Sequence, residues 1–404
     1  MELGPIFRAL MHNPTRFWLI TVEVALTLAI VVNCVAIILD RRELLTRPSG
    51  LDEPNLVVVT TQPFVDDFTE EGFIDTVREE DLRRLRAVPG VRAAAAIDYL
   101  PLAGGGSITS LAAAEDDSES DGHPAPYFVV GLGALDALGV ELVAGRDHIE
   151  ADLRPGYGEP ENLIVTQAFA DRIYPDGDAL GKSLVDTDND VVFGYIIGII
   201  REMHNAWPRS SIAGLAMLRP GPAQDPREIR YMVRTEPGAL DAVFNQLEPT
   251  VLAVNADRII TVRPIEEYKR RYFDDEIVLV KVLTVLAVLL VAVTSLGIIG
   301  LTSFSVTQRT REIGTRRALG ATRSAVLRYF VIEIWVITGI GLALGALLTY
   351  ALNYALAHLA GAPSIDWPLI AAGIALLWGI GLVSALAPAF RATLVPPVVT
   401  TRSV

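Results

Sequence analysis

The sequence predicts a membrane protein with four transmembrane helices and a large α+β extracytoplasmic domain inserted between the first and second of them. Hydrophobic residues make up 51% of the 404 residues and the mean hydropathy is +0.39, yet 20% of the residues are charged. The block 41–276 holds 42 of the 48 acidic residues and 23 of the 34 basic ones, a net charge of −19. A separate acidic domain is therefore predicted, and its charge argues against nucleic acid as a partner.

Four apolar runs are long enough to cross a bilayer, whose hydrocarbon core is about 30 Å thick. They cover residues 17–39, 277–304, 325–350 and 368–390. The first run is longer than the core of a signal peptide and does not end in a small-x-small site, so we expect it to remain as an anchor. Residues 1–16 are predicted to form a cytoplasmic or interfacial helix, with a disordered tail as the alternative.

The basic residues predict the orientation of the chain in a bacterial inner membrane. The loop 305–324 carries five arginines against one glutamate, whereas the loop 359–367 carries only Asp366 as a charged residue. Cytoplasmic loops are enriched in arginine and lysine, so 305–324 is predicted to be cytoplasmic and 359–367 periplasmic. Both termini, including the tail 391–404, are then cytoplasmic and the domain 40–276 is periplasmic.

The inserted domain shows both strand and helix patterns. Runs rich in β-branched residues predict strands at 56–60, 127–131, 163–166, 191–200, 212–218, 231–235 and 259–262. Helical periodicity predicts helices at 73–88 and 240–254, with Pro249 expected to kink or end the second one early. The segment 104–122, which is rich in glycine and acidic residues, is predicted to be a loop between two subdomains or a mobile insertion.

A catalytic site is not evident in the sequence. None of the five histidines pairs with another at a metal-ligand spacing, and no Gly-x-Ser-x-Gly motif occurs. The run 177–183 has three residues between its glycines where a phosphate-binding loop needs four. We therefore expect a non-catalytic chain that binds no cofactor or metal itself, with a membrane-anchored enzyme as a remaining alternative.

Two acidic residues and a glycine pair stand out within the apolar runs. Glu23 and Glu333 lie inside the first and third runs, where a carboxylate is costly. A hydrogen-bonded packing contact or snorkelling at the interface is the favoured interpretation for both, and a pair of polar anchors at matched depth is the alternative. Gly341 and Gly345 form a G-x-x-x-G step, which allows close helix packing in lipid. The sequence leaves open whether this step serves a homodimer or contacts within one chain.

The most specific motif lies in the loop between the second and third runs. Residues 308–323 read QRTREIGTRRALGATR, a short basic amphipathic segment closed by Gly320. It resembles the R-E-I-G-x-x-x-A-L-G-A signature of the MacB/FtsX-type ABC transporter permeases. Looser similarities occur in the family's order along the chain, at 9–27, 138–146, 163–182, 197–201 and 388–397, so the resemblance covers nearly the whole chain.

The resemblance implies a permease subunit that couples a separate cytoplasmic ATPase, which binds ATP and magnesium, to a conformational change of the periplasmic domain. Efflux by a homodimer is the expected role, and a periplasmic adaptor and an outer-membrane duct are further candidate partners. The alternative is an FtsX-like regulator of a periplasmic partner. The resemblance assigns ATPase coupling to Arg309, Arg311, Glu312, Ile313, Gly314, Arg317, Ala318, Leu319, Gly320 and Ala321.

Overall fold

The computed structural model describes residues 14–70, 72–114, 122–153, 159–189, 191–221, 227–320 and 322–394. Most of the predicted N-terminal helix, the tail after residue 394 and Ala321 lie outside the described residues. The chain forms two compact units. The inserted domain comprises Arg47–Asp274, and the membrane unit comprises the segments on either side of it. The predicted fold class is confirmed.

Among its described residues, the membrane unit has four apolar helices that are long enough to cross a membrane. These are span 1 (Pro14–Thr46), span 2 (Asp274–Gln308), span 3 (Arg323–Ala360) and span 4 (Trp367–Thr393), with a connecting helix (Thr310–Ala318) between spans 2 and 3. The helices extend beyond the apolar runs because the flanking polar residues do not interrupt them. Span 1 ends two residues before Pro48. Span 3 ends at Ala360 and is followed by Gly361, whose φ of +61° suits glycine.

Spans 1, 3 and 4 pack around a common apolar core. Ile20 and Leu28 of span 1, Ile334 and Ile337 of span 3 and Ile370 of span 4 are fully buried in it.

A polar contact also joins spans 1 and 3. Asn33 of span 1 donates a hydrogen bond to the carbonyl of Thr349, at 3.4 Å, and accepts one from the side chain of Asn353, at 3.3 Å. Buried amide groups that bond across helices in this way hold their register in an apolar environment.

The inserted domain is built on a mixed sheet with the strand order β11-β1-β10-β2-β4-β3-β7-β8-β6-β9, with β5 paired to β8. The strands are β1 (Leu56–Pro63), β2 (Val91–Ile97), β3 (Ser107–Ala113), β4 (His123–Val130), β5 (Leu142–Gly145), β6 (Glu161–Thr166), β7 (Ser183–Asp186), β8 (Val191–Ile200), β9 (Met217–Pro220), β10 (Ile229–Thr235) and β11 (Arg258–Pro264). The helices are α1 (Phe73–Ala87), α2 (Ala134–Leu138), α3 (Gln167–Ile173), α4 (Leu240–Leu252) and α5 (Ile265–Tyr272).

Helices α1 and α4 cover one face of strands β1 and β10, and a buried polar network fixes them there. The Tyr231 hydroxyl donates to the Asp81 carboxylate at 2.6 Å, and the Arg258 guanidinium binds the same carboxylate through two nitrogens at 2.5 and 2.6 Å. Burial, and then the neighbouring carboxylate, hold the pKa of Tyr231 well above its usual value, so the hydroxyl remains a donor. Removing one member of such a fully buried ion pair costs about 3–5 kcal/mol.

Two local predictions for the inserted domain are wrong. The predicted loop at 104–122 contains β3, which pairs with β4 and β7. The predicted strand at 212–218 is mostly turn, and a strand begins only at Met217. The helix α4 continues through Pro249 and ends at Leu252, two residues before the predicted end, because a proline near the end of a helix removes only one of the last backbone hydrogen bonds.

Candidate functional site

The connecting helix is confirmed as the short element that the sequence predicts between spans 2 and 3. It ends at Ala318, and Gly320 follows with a φ of +97°, which a residue with a side chain rarely adopts. Thr322 then begins span 3, since its hydroxyl accepts a hydrogen bond from the amide of Ala325 at 3.3 Å. The turn between the two helices is therefore short.

The inner face of the connecting helix packs against spans 3 and 4. Ile313 is buried in a small cluster with Val326 and Phe330 of span 3 and with Ala389 and Ala392 of span 4. Gly314 is buried beside it. This side of the helix is therefore fixed by apolar contacts to two spans at once.

An ion pair joins the start of the connecting helix to the interior of span 3. The Arg309 Nη1 atom lies 3.3 and 3.4 Å from the two carboxylate oxygens of Glu333, whose side chain is only 1% exposed. The sequence assigned Arg309 to ATPase docking and Glu333 to a packing contact. The structure brings the two together, so the contact expected for Glu333 is a hydrogen-bonded one and its partner is Arg309. A buried carboxylate needs such a partner.

A second arginine joins the end of the connecting helix to span 4. The Arg317 Nη1 atom donates a hydrogen bond of 3.0 Å to the carbonyl oxygen of Thr393, the last residue of span 4. Carbonyls at a helix C-terminus lack intrahelical partners and carry partial negative charge, so a cation there is stabilising. Both ends of the connecting helix are thus tied to a span through an arginine.

The outer face of the connecting helix and the turn after it are exposed. Arg311, Glu312, Ala318, Leu319 and Gly320 all lie on this surface. Leu319 is 84% exposed, although a leucine is normally buried. The residues that the sequence assigned to coupling therefore divide into an anchored set (Arg309, Ile313, Gly314 and Arg317) and this exposed set.

Glu23 makes a different contact from Glu333. Its carboxylate lies against Gly297 of span 2, where a Cβ atom would come within 2.5 Å of the Glu23 Oε1 atom. One turn further along span 1, the hydroxyls of Thr27 and Thr294 are 2.7 Å apart. Glu23 thus packs at a contact between spans 1 and 2, while Glu333 pairs with the connecting helix.

The glycine pair of span 3 packs against span 1 of the same chain. A Cβ atom on Gly341 would lie 3.0 Å from the Thr21 carbonyl oxygen, and one on Gly345 would lie 3.0 Å from Ala25. Of the two interpretations that the sequence left open, the structure places both glycines in the contact within one chain.

Sequence reasoning missed the partners of the two anchoring arginines. Glu333 follows Arg309 by 24 residues, and the Thr393 carbonyl is 76 residues from Arg317. The signal that was available for the first pair was the arginine at the exit of span 2 together with an acid inside span 3.

Among the described residues, no group of three or more histidine, cysteine, aspartate or glutamate side chains could hold a metal ion.

Comparison with known proteins identifies the membrane unit. Residues 284–397, which contain spans 3 and 4, the connecting helix and most of span 2, match the family described as FtsX-like permease C-terminal. The chain therefore carries an FtsX-like permease domain, and its resemblance to the MacB/FtsX-type permeases is confirmed.

Two relatives illustrate the extent of the similarity. The chain is 37% identical over 107 residues to the uncharacterized ABC transporter permease YknZ of Bacillus subtilis, covering 26% of this chain and 27% of that one. It is 23% identical over 285 residues to the macrolide export ATP-binding/permease protein MacB of Neisseria gonorrhoeae, covering 68% of this chain and 43% of MacB. The chain thus spans less than half the length of these relatives.

A solved structure is also similar to this chain. The periplasmic region of MacB from Actinobacillus actinomycetemcomitans is 14% identical and covers 57% of this chain and 97% of that structure, with a TM-score of 0.36.

Proposed function

We propose that this chain is the permease subunit of an ABC transporter, that it acts as a homodimer with a separate ATPase, and that the connecting helix is where the ATPase binds. The exposed Leu319 carries the proposal. It directly follows the connecting helix, on which Arg311 and Glu312 are also exposed and whose other side is anchored. An exposed apolar side chain next to charged residues is typical of a docking surface, where it fills a groove of the partner.

The anchored face explains how docking can act on the membrane unit. A displacement of the connecting helix acts on span 3 through Arg309 and Ile313 and on span 4 through Arg317. It acts on span 2 directly, because the two helices are separated only by Arg309. We infer that ATP-driven movement reaches the inserted domain along span 2, whose first residue is the last residue of that domain.

The work of transport then falls to the inserted domain and not to a pore between the spans. The described spans carry few charged or amide side chains away from their ends, and Glu23, Asn33, Glu333 and Asn353 are each engaged in helix contacts. Export is the role that the name of the MacB relatives suggests, and we infer efflux by this chain from it. A periplasmic adaptor remains a proposed partner. The orientation with both termini in the cytoplasm remains part of this proposal.

The test exchanges one exposed leucine for a charged residue. The chain is purified from its native membrane with the ATPase that accompanies it, reconstituted in nanodiscs, and assayed for ATP hydrolysis. Burial of a leucine contributes about 1.5–3 kcal/mol, so Leu319→Asp should weaken ATPase binding roughly tenfold or more and reduce the stimulated rate. Insertion should be unchanged, because Leu319 packs against little of its own chain.

Leu359→Asp is the matched control, because Leu359 is 87% exposed and lies at the other end of span 3. It should leave the stimulated rate at the wild-type value. Equal rates for the two variants would contradict docking at the connecting helix, and the absence of any accompanying ATPase would contradict the permease role. An ATPase that responds to Leu319→Asp without any change in transport would favour the regulatory alternative.

A further inference from the structure

A cavity of about 360 Å³ lies on the face of the sheet formed by strands β1, β10 and β11 in the inserted domain. Along this face, β1 changes from buried Leu56 and Val58 to the polar Thr60 and Gln62. Thr60 stands directly between Thr261 of β11 and Arg230 of β10 in the strand register. The cavity therefore forms where the apolar core face of the sheet becomes polar, at the end next to the edge strand β11.

The charged side chains that line the cavity are two arginines and one glutamate. Arg230 and Arg263 line it together with one acidic residue, Glu228. Arg230 is already engaged, since it donates hydrogen bonds to the Glu228 carboxylate and to the carbonyl of Asp98. Positive charge at this place is a local feature, because the surrounding block 41–276 has a net charge of −19.

Arg263 is more weakly engaged than Arg230. Its Nε atom lies 3.9 Å from the nearer carboxylate oxygen of Glu267, which is at the limit of an ion pair. Glu267 makes a shorter contact of 2.7 Å with Arg271. The guanidinium of Arg263 thus lines the cavity with most of its hydrogen-bonding capacity available, and a guanidinium binds a carboxylate through two parallel hydrogen bonds.

The remaining wall is aromatic and apolar. Tyr99 and Leu100 follow β2, and Tyr268 lies on α5. The Tyr99 ring is 5.8 Å from the Arg230 guanidinium carbon, a cation–π contact that fixes one side of the wall. Tyr268 packs against the core cluster beneath the cavity, which fixes the other side. A ligand with a flat or apolar body has contact surface here.

We propose that this cavity is a binding site for a small organic carboxylate with an aromatic or apolar body, with the carboxylate on Arg263 and the body against Tyr99 and Tyr268. The size of the cavity falls at the lower end of the range of small-molecule sites, about 300–1,000 Å³. The site does not depend on the proposed coupling to an ATPase, because each of its residues lies within the inserted domain.

Binding is measured on the full chain in nanodiscs by fluorine NMR, with 4-(trifluoromethyl)phenylacetate as the probe. The matched neutral probe is 4-(trifluoromethyl)phenylacetamide, and empty nanodiscs correct for partition into lipid. The fluorine resonance of the carboxylate probe should broaden and shift at probe concentrations on the order of 1 mM. The amide should bind at least about tenfold more weakly, since it lacks the charge-assisted hydrogen bonds.

Three substitutions locate the site. Arg263→Gln should weaken the carboxylate probe about tenfold or more, whereas Arg201→Gln, at an exposed arginine outside the cavity, should not change binding. Gln62→Glu places a negative charge on an exposed position of the cavity wall and should abolish binding without disturbing the core. It keeps the test decisive if Arg263→Gln lowers the yield of folded protein.

Equal binding of the carboxylate and the amide, or wild-type binding by Gln62→Glu, would overturn the proposal. The lack of probe binding to the wild-type chain at the highest soluble concentration would overturn it as well. Because ATP hydrolysis is not part of this readout, these outcomes are independent of the test of the connecting helix.

Discussion

The buried ion pair between Arg309 and Glu333 gives the most informative prediction for the membrane unit. Arg309→Gln removes the guanidinium from a carboxylate that is 1% exposed. Breaking a buried ion pair from one side costs about 3–5 kcal/mol. The contacts of 3.3 and 3.4 Å are longer than the roughly 2.7–2.9 Å of a strong charge-assisted hydrogen bond. We therefore expect the free energy of unfolding to fall by about 3 kcal/mol, the lower end of that range.

The double variant Arg309→Gln/Glu333→Gln separates the pair from the side chains taken singly. With both charges removed, no buried carboxylate is left without a partner, because Glu333 is now an amide. Two amides of similar size remain at the site. The double variant should therefore be more stable than Arg309→Gln alone. Residues in one ion-pair network show interaction energies of about 0.5–3 kcal/mol in such a cycle, and we expect a value above about 1 kcal/mol here.

Unfolding is followed in mixed micelles by titration with a denaturing detergent. The stacked rings of Trp335 and Trp378, whose centroids are 5.1 Å apart, join spans 3 and 4 and should report their separation by fluorescence. Arg328→Gln is the control, since Arg328 is an exposed arginine of span 3. Equal destabilisation by Arg309→Gln and Arg328→Gln, or strictly additive effects in the double variant, would refute the reasoning.

Two further predictions concern helix packing and the inserted domain. Gly345→Leu should lower the free energy of unfolding by roughly 1–3 kcal/mol in the same titration, because a Cβ atom there already lies 3.0 Å from Ala25. Gly379→Leu in span 4, whose Cβ position is open, should have little effect, and a similar loss for both would argue against the close contact. Burial raises the pKa of Asp98 to about 6, so the folded state binds its proton more tightly than the unfolded chain. The associated stabilisation is full below pH about 4 and is lost as the pH rises through about 6, a change of roughly 3 kcal/mol. Asp98→Asn, whose side-chain oxygen can still accept from the amides of Tyr99 and Val129, should abolish this pH dependence in hydrogen exchange of β2 and β4. A pH profile that is unchanged in the variant would show that another group is responsible.

The sequence was sufficient for the membrane unit where local chemistry determines the structure. Apolar length located the four spans, and a glycine at the required positive φ marked the end of the connecting helix. It was not sufficient for the partner of Glu333, because that contact depends on the turn that returns the chain from span 2 to span 3. The G-x-x-x-G step indicated close packing but not its partner, since small residues permit approach by any helix.

In the inserted domain, the strand β2 shows why some elements were missed. Residues 91–97 read VRAAAAI, and alanine has a low preference for strands. The segment is nonetheless a strand between β10 and β4, and Ala94 and Ala96 are buried in the cluster that contains Leu85 of α1. Small side chains suit a strand that a helix approaches closely, which is a tertiary requirement that local patterns do not reveal. The cavity residues, which come from separate strands and loops, were missed for the same reason.

The length of span 2 has a geometrical consequence. Its 35 residues extend about 52 Å at 1.5 Å per residue, well beyond the roughly 30 Å of hydrocarbon that a helix must cross. The segment contains no proline, so its backbone hydrogen bonds can continue without the kink that proline imposes. A rigid rod of this length that pivots by about 5° at one end moves its other end by about 4–5 Å. In the proposed coupling, a small angular change of span 2 at the connecting helix would therefore displace the last residue of the inserted domain by several ångströms.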